Sequence, residues 1–236
     1  HIVSSFDRDL EGIQARIMKM GGLVEQAILD AAEALETRDE ELSDKVRRGD
    51  KVIDELDELI HEEAARVIAL RAPTAVDLRV ILSVMKTSND LERIGDLAKN
   101  MAKRNSVLMQ LTQIDGATAA LRRMARAVEG MLKDALDSYI QRDAALARDV
   151  ILRDRDVDQM YNATFREFLT FMMEDPRNIT ACMHLHFIAK NLERMGDHVT
   201  SVAEQVVFLV EGAMPDERQK GDKTSFDKSL SPEPGA

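Results

Sequence analysis

Two pairs of carboxylates are the residues in this chain whose type and spacing could do chemistry. Glu92 and Asp96 lie in Asn89-Asp90-Leu91-Glu92-Arg93-Ile94-Gly95-Asp96. That stretch returns 101 residues later as Lys190-Asn191-Leu192-Glu193-Arg194-Met195-Gly196-Asp197, with Leu-Glu-Arg and Gly-Asp unchanged. Acids four apart on a helix share one face about one turn apart. They repel unless a positive group stands between or beside them. A second set, Asp50 with Asp54 and Asp154 with Asp158, repeats at an offset of 104. Asp54 and Glu92 are equally far from Pro73, as are Asp50 and Asp96. In an antiparallel helix pair with equal rise per residue, Asp54 falls level with Glu92 and Asp50 with Asp96. The second half gives the same pairing of Asp158 with Glu193 and Asp154 with Asp197, about the Glu174-Asp175-Pro176 turn. Each half is thus predicted to gather four carboxylates along one interhelical groove, flanking the apolar seam and reachable from solvent.

Four carboxylates with no cysteine nearby make a hard-oxygen site suited to magnesium, calcium, manganese or iron. Asn100, one turn beyond Asp96, is a further candidate ligand, although its counterpart is Ser201. His186, two turns before Glu193, and His198, beside Asp197, are weaker candidates. Glu58-Leu59-Ile60-His61 has the Glu-x-x-His spacing of di-iron carboxylate bundles. Its repeat partners are Asn162 and Phe165, so it lies outside the duplicated design. It nevertheless defines an alternative reading, a carboxylate-bridged metal oxidase of helical-bundle type. The plainest alternative is a solvated charged face paired with Arg47, Arg93, Arg153 or Arg194, as charge runs on bundle helices commonly are. Four acid pairs level across two turns favour metal over that reading. No nucleophile–base pair, glycine-rich phosphate loop or dinucleotide fingerprint is present, so the residues give no positive argument for catalysis.

The elements that must position these acids are helices. From Ser5 the positions Phe6, Leu10, Ile13, Ile17, Met20, Val24, Ala27 and Ala31 alternate spacings of four and three, the rhythm of a bundle helix, which should end near Thr37. Asp39 can cap a second helix, with Val46, Gly49, Ile53, Leu56 and Ile60 on its core side. Thr74 with Asp77 resembles a capping box for the third. The plan then repeats. Asp143 can cap the fifth helix, Asp175-Pro176 matches the first proline turn, and Leu185 to Leu209 forms an unbroken seam in the sixth. Arg38-Asp39 recurs as Arg142-Asp143, and Met20, Val24 and Glu25 as Met124, Val128 and Glu129. The predicted fold is all-α, two tandem three-helix bundles over 5–112 and 117–212 related by a pseudo-two-fold axis, with a disordered tail over 213–236. Gly95 and Gly196 each cost a helix about 1 kcal/mol against Ala, and their repetition implies close helix approach or room beside the acids.

Composition narrows the class. Of 236 residues, 44% are hydrophobic and only 4% aromatic, with Ala, Leu, Glu, Asp, Arg and Met dominant, a helical composition. The formal net charge of −11 argues against nucleic acid and for cations or basic partner surfaces. Cys182 is the only cysteine, so an intrachain disulfide is impossible and a reducing compartment fits. The longest apolar run is too short to span a bilayer, and no signal-peptide pattern opens the chain. A cytoplasmic location is expected.

Over about residues 5–211 the chain resembles the PhoU family of bacterial regulators of phosphate uptake and phosphate signalling. The resemblance is carried by Met20-Gly21-Gly22-Leu23-Val24-Glu25, Pro73-Thr74-Ala75 with Asp77-Leu78-Arg79, Leu91 to Asp96, Met172-Met173-Glu174-Asp175, and Leu192 to Asp197. The family's repeated Glu/Asp-x-x-x-Asp motif falls on Asp50 and Asp54, Glu92 and Asp96, Asp154 and Asp158, Glu193 and Asp197. The resemblance implies metal ions in multinuclear clusters, with iron, zinc, manganese or magnesium as candidates. It also implies a non-enzymatic role, that of a negative regulator of the phosphate-starvation response, peripheral to the membrane through its partners. Those partners are the PstB ATPase of the phosphate ABC transporter and a PhoR-type sensor histidine kinase, and a homodimer is expected. His198, and Ser201 in place of Asn100, make the two metal sites unequal.

Overall fold

The computed structural model describes residues 2–215. Within them the chain forms six α-helices: α1 (Ile2–Thr37), α2 (Glu40–Arg71), α3 (Ala75–Leu108), α4 (Ala117–Gln141), α5 (Ala144–Glu174) and α6 (Ile179–Glu211), with a 3-10 turn over Pro176–Asn178 before α6. The tail expected over 213–236 lies, from residue 216 onward, outside the described residues.

The helix boundaries follow from local chemistry. The Asp39 carboxylate accepts from the Leu42 amide, and Asp143 accepts from Ala145 and Leu146, so both expected caps form. The residue before each cap, Arg38 or Arg142, takes a left-handed conformation, with φ 55° and 54°. This explains why Arg-Asp recurs as a pair: one residue makes the turn and the next starts the helix. Arg38 also donates to the carbonyls of Leu108, Met109 and Leu111, closing the C-terminal end of α3 that lacks intrahelical donors. Thr74 departs from the expected capping box. Its hydroxyl donates to the Asp77 carboxylate at 2.9 Å and makes no side-chain cap bond.

Each repeat folds as a three-helix unit, α1–α3 or α4–α6. Asn105 ties the first together, donating to the Ala34 carbonyl of α1 and the Ser43 hydroxyl of α2. The two units join through α1 against α4 and α3 against α6, and one apolar core runs through both. The expected seam residues Ile13, Ile17, Met20 and Val24 of α1 and Leu185, Ile188, Leu192 and Val199 of α6 are all buried in it. Helices α2 and α5 flank this four-helix centre, and that places both acid-bearing faces away from the inter-repeat seam.

Helices α3 and α6 run antiparallel across that seam. Ser83 donates to Gln205, Asp90 meets His198 and Ser201, and Arg104 lies over Phe187. In this register the residue of α3 that falls level with its own repeat counterpart is Ile94, beside Met195, both fully buried. The pseudo-two-fold axis therefore passes through the middle of the duplicated motif.

Candidate metal centre

The first groove lies between α2 and α3. Its deepest acid is Asp50, 4% exposed, because the buried stripe of α2 runs Val46, Asp50, Ile53 and Leu56. Gly49, expected on the core side, is exposed instead. Asp50 thus occupies the apolar seam itself rather than its flank, which corrects the expectation of an open groove. Gly95 of α3 makes the depth possible. A Cβ there would lie 3.1 Å from Ile53 Cδ1 and 3.6 Å from Asp50 Oδ1, so the missing side chain lets α3 close over the carboxylate.

Lys99 of α3 reaches back across this groove. Its ammonium donates to Asp50 Oδ2 and, at 2.9 Å, to Asp96 Oδ1. Those bonds hold the Lys99 ammonium well above the ordinary lysine range. The other oxygen of Asp50, Oδ1, is buried and receives no hydrogen bond. Farther along, burial pushes the Asp54 carboxyl up, reinforced by the charge of Asp50. Burial likewise raises Glu92; Arg93 opposes the shift, and Asp96, Asp54 and Asp57 add to it. Glu92 Oε2 sits 3.5 Å from Arg93 Nε but accepts no hydrogen bond. Asp54 thus feels the charges of Asp50 and Asp96, and Glu92 those of Asp96, Asp54 and Asp57, so Asp57 extends the set. Asn100 does not enter it; its side chain is exposed, while Lys99, one position earlier, turns inward.

The second groove lies between α5 and α6 and has the same frame. Gly196 stands where Gly95 does, and a Cβ there would meet Asp154 Oδ1 at 3.3 Å and Val157 Cγ1 at 3.4 Å. Its burial runs the other way along the groove. Asp158 and Glu193 are buried, at 8% and 2% exposed, while Asp154 and Asp197 are half-buried. Lys190 donates to Glu193 Oε2 at 2.6 Å. At the position matching Lys99 stands Thr200, whose hydroxyl bonds the Gly196 carbonyl at 2.9 Å.

The histidines and arginines sort differently from the expectations. His198 faces away from Asp197's groove and across the inter-repeat seam, where its Nδ1 lies 2.9 Å from Asp90 Oδ1. Ser201 donates to Asp90 Oδ2 at 2.6 Å, and Lys86 stands 3.3 Å away. Burial acts to raise the Asp90 carboxyl, but these bonds outweigh it and hold it below the usual carboxylate range. His186 packs among Tyr161, Phe165 and Phe187, and burial, with the Lys190 charge, lowers its pKa. Glu58 is exposed and His61 turns to Asp57, at 3.3 Å from its carboxylate, so Glu-x-x-His does not form a paired site. Arg47 and Arg153 pair with Asp44 and Asp134, leaving Arg93 as the arginine that reaches the first groove.

The donor set fits a hard cation: carboxylate oxygens, an undonated buried Oδ1 on Asp50, and a gap in each groove that a Cβ would fill. Among the described residues, no three His, Cys, Asp or Glu side chains already converge on one ion-sized point. In each groove one lysine offsets part of the acid charge, and side-chain rotation is required to gather ligands.

Sequence reasoning missed Lys99, Asp57 and Asp90. Lys99 was legible as the residue three beyond Asp96, on the same face. Asp90 carried no signal from the duplication, since its counterpart is Asn191.

Comparison with known proteins agrees with this architecture. A family model described as the PhoU domain matches residues 17–104 and again 121–206, one match per repeat. A Caulobacter vibrioides protein, "Phosphate-specific transport system accessory protein PhoU homolog", is 45% identical over 212 residues, covering 90% of this chain and 92% of that one. A Rhizobium meliloti protein of the same description is 43% identical over 233 residues, with 95% of each chain covered. The crystal structure of PhoU from Pseudomonas aeruginosa superposes with a TM-score of 0.85 at 39% identity, covering 88% of this chain and all of that one. The phosphate transport system regulatory protein PhoU from Streptococcus pneumoniae gives 0.82 at 29% identity, covering 90% and 100%. With the same fold, the same duplication and identity of this extent along nearly the whole length, the chain belongs to the PhoU family.

Proposed function

We propose that this protein is an accessory and regulatory component of a phosphate transport system, acting without catalysis as an adaptor. In this reading it represses the phosphate-starvation response by linking the PstB ATPase of the phosphate ABC transporter to a PhoR-type histidine kinase. It works in the cytoplasm as a homodimer, peripheral to the membrane through its partners. Among the described residues no helix is long and apolar enough to cross a membrane, which accords with attachment through partners. The observation that carries the reading is the pair of duplicated acid grooves in a chain of this family. Asp50, Asp54, Glu92 and Asp96 in the first, and Asp154, Asp158, Glu193 and Asp197 in the second, would hold cations. A bound cation supplies positive charge that converts an acid groove into a different docking surface. The oxidase reading has no comparable support, since Glu58 and His61 do not face one ion.

The test is the double variant Glu193→Gln, Asp197→Asn. The fold rests on the apolar seams, so the helical circular-dichroism spectrum should be retained. Phosphate-starvation genes should be derepressed in phosphate-rich medium. Full repression by this variant, combined with Glu92→Gln and Asp96→Asn, would show that the acids are not part of the signalling surface.

A further inference from the structure

Lys99 bridges two of the motif acids in the first groove, and it does so against a carboxylate that is almost wholly buried. Its ammonium binds one oxygen of Asp50 on α2 and one oxygen of Asp96 on its own helix. Asp50 Oδ1 remains undonated beside the Gly95 gap. An ammonium and a hard divalent cation seek the same partners, carboxylate oxygens, and cannot occupy the same few ångströms together. The side chain of Lys99 is 24% exposed, so its head has a short route to solvent. At the corresponding level of the second groove the chain has Thr200, a neutral residue turned to its own backbone.

We propose that Lys99 is a tethered counter-ion of the first groove, so that a divalent cation enters there only by exchange with the lysine ammonium. This rests on the cation-binding reading above. The exchange has two consequences. The first groove binds cations more weakly than its acids alone would allow, because only the fraction of molecules with Lys99 released is competent. Cation entry also delivers Lys99 to the surface, so one binding event changes the exposed charge of α3 as well as the groove.

The experiment uses the full chain and Mn²⁺. Binding is followed by electron paramagnetic resonance for the unaltered protein, Lys99→Thr, and Lys99→Thr with Asp50→Asn. In parallel, acylation of Lys99 in the unaltered protein is followed by mass spectrometry with and without Mn²⁺. Lys99→Thr should tighten Mn²⁺ binding by about tenfold or more, and adding Asp50→Asn should abolish that gain. Acylation of Lys99 should be slow without Mn²⁺ and accelerate as Mn²⁺ is added. If the unaltered protein binds Mn²⁺ while Lys99→Thr changes nothing and Lys99 stays protected, Lys99 is a structural ion pair and the exchange is wrong. If none of the three proteins binds Mn²⁺, the cation-binding reading itself fails and the exchange falls with it. The acylation measurement needs no substitution, so a misfolded variant still leaves a decisive result.

Discussion

The two grooves share a frame and differ in where their charge is buried. In the first, the deep acid is Asp50 and the lysine is Lys99, at the Asp96 level. In the second, the deep acids are Asp158 and Glu193 and the lysine is Lys190, one turn before Glu193. In each case the buried acids sit at the end where the lysine stands. Burying a carboxylate is costly unless a donor goes with it. The comparison teaches that duplication preserved the acids and the glycines, while each repeat found its own way of offsetting them. The inter-repeat seam shows the same divergence. Asp90 gathers His198, Ser201 and Lys86, and its counterpart Asn191 carries no charge with which to do so.

Giving the first repeat the second's residue at that point should produce the largest effect. Asp90→Asn should cost about 2 kcal/mol at neutral pH, the scale of hydrogen bonds to a buried charged group. Because the folded Asp90 pKa is depressed, its contribution is present above the unfolded aspartate pKa and lost as pH falls through the folded one. Chemical denaturation of variant and parent should therefore differ at pH 7 and converge in strong acid; a gap that persists there would remove Asp90's charge from the account.

The glycines should separate the grooves by a smaller amount. Gly95→Ala drives a Cβ against Ile53, which is itself buried, on both Cδ1 and Cγ2. Overpacking there should outweigh the gain in helix propensity and cost about 1 kcal/mol. Gly196→Ala meets a carboxylate oxygen of half-buried Asp154 and the edge of Val157, and the two terms should nearly cancel. Equal losses in thermal melts would mean that the interhelical spacing is the same in both halves.

The smallest effect belongs to Glu92→Gln. The Glu92 carboxyl is raised, so in the metal-free protein its ionisation lowers stability as pH rises through the interval between the unfolded and folded pKa values. Glu92 is partly solvated, which screens the effect, and the variant should gain only a few tenths of a kcal/mol at pH 7. The gain should vanish below that interval. A loss at pH 7 without metal would mean that Arg93 compensates Glu92 more fully than burial penalises it.

Much of this was legible in the residues. The 3–4 spacings pointed to all six helices, Asp39 and Asp143 marked two of their starts, and the symmetry about Pro73 brought Asp54 and Glu92 within reach of each other's charge. The departures have specific physical origins. Gly49 and Asp50 are adjacent, and either continues the 3–4 rhythm from Val46 to Ile53; spacing took the glycine, and the folded helix buries the acid. The choice between Lys99 and Asn100 turned on a 100° rotation that chemistry decides: a lysine three residues from Asp96 can reach two carboxylates, while an amide at the fourth faces water. Searching by repetition finds what two halves share, and it is blind to Asp90, whose counterpart Asn191 is a different residue.

The axis through Ile94 and Met195 has a consequence for how such a chain can change. In a dimer of identical subunits, a residue on the dyad faces itself, so any substitution arrives twice at one spot. Fusing the halves into one polypeptide lifts that constraint, and a β-branched side chain can face a flexible one. The same release is what allows Lys99 where its counterpart is Thr200, and Asp90 where its counterpart is Asn191. A symmetric ancestor would have been obliged to answer every stimulus identically on both sides, and the covalent link lets its descendant become two-toned, each half free to answer in its own way.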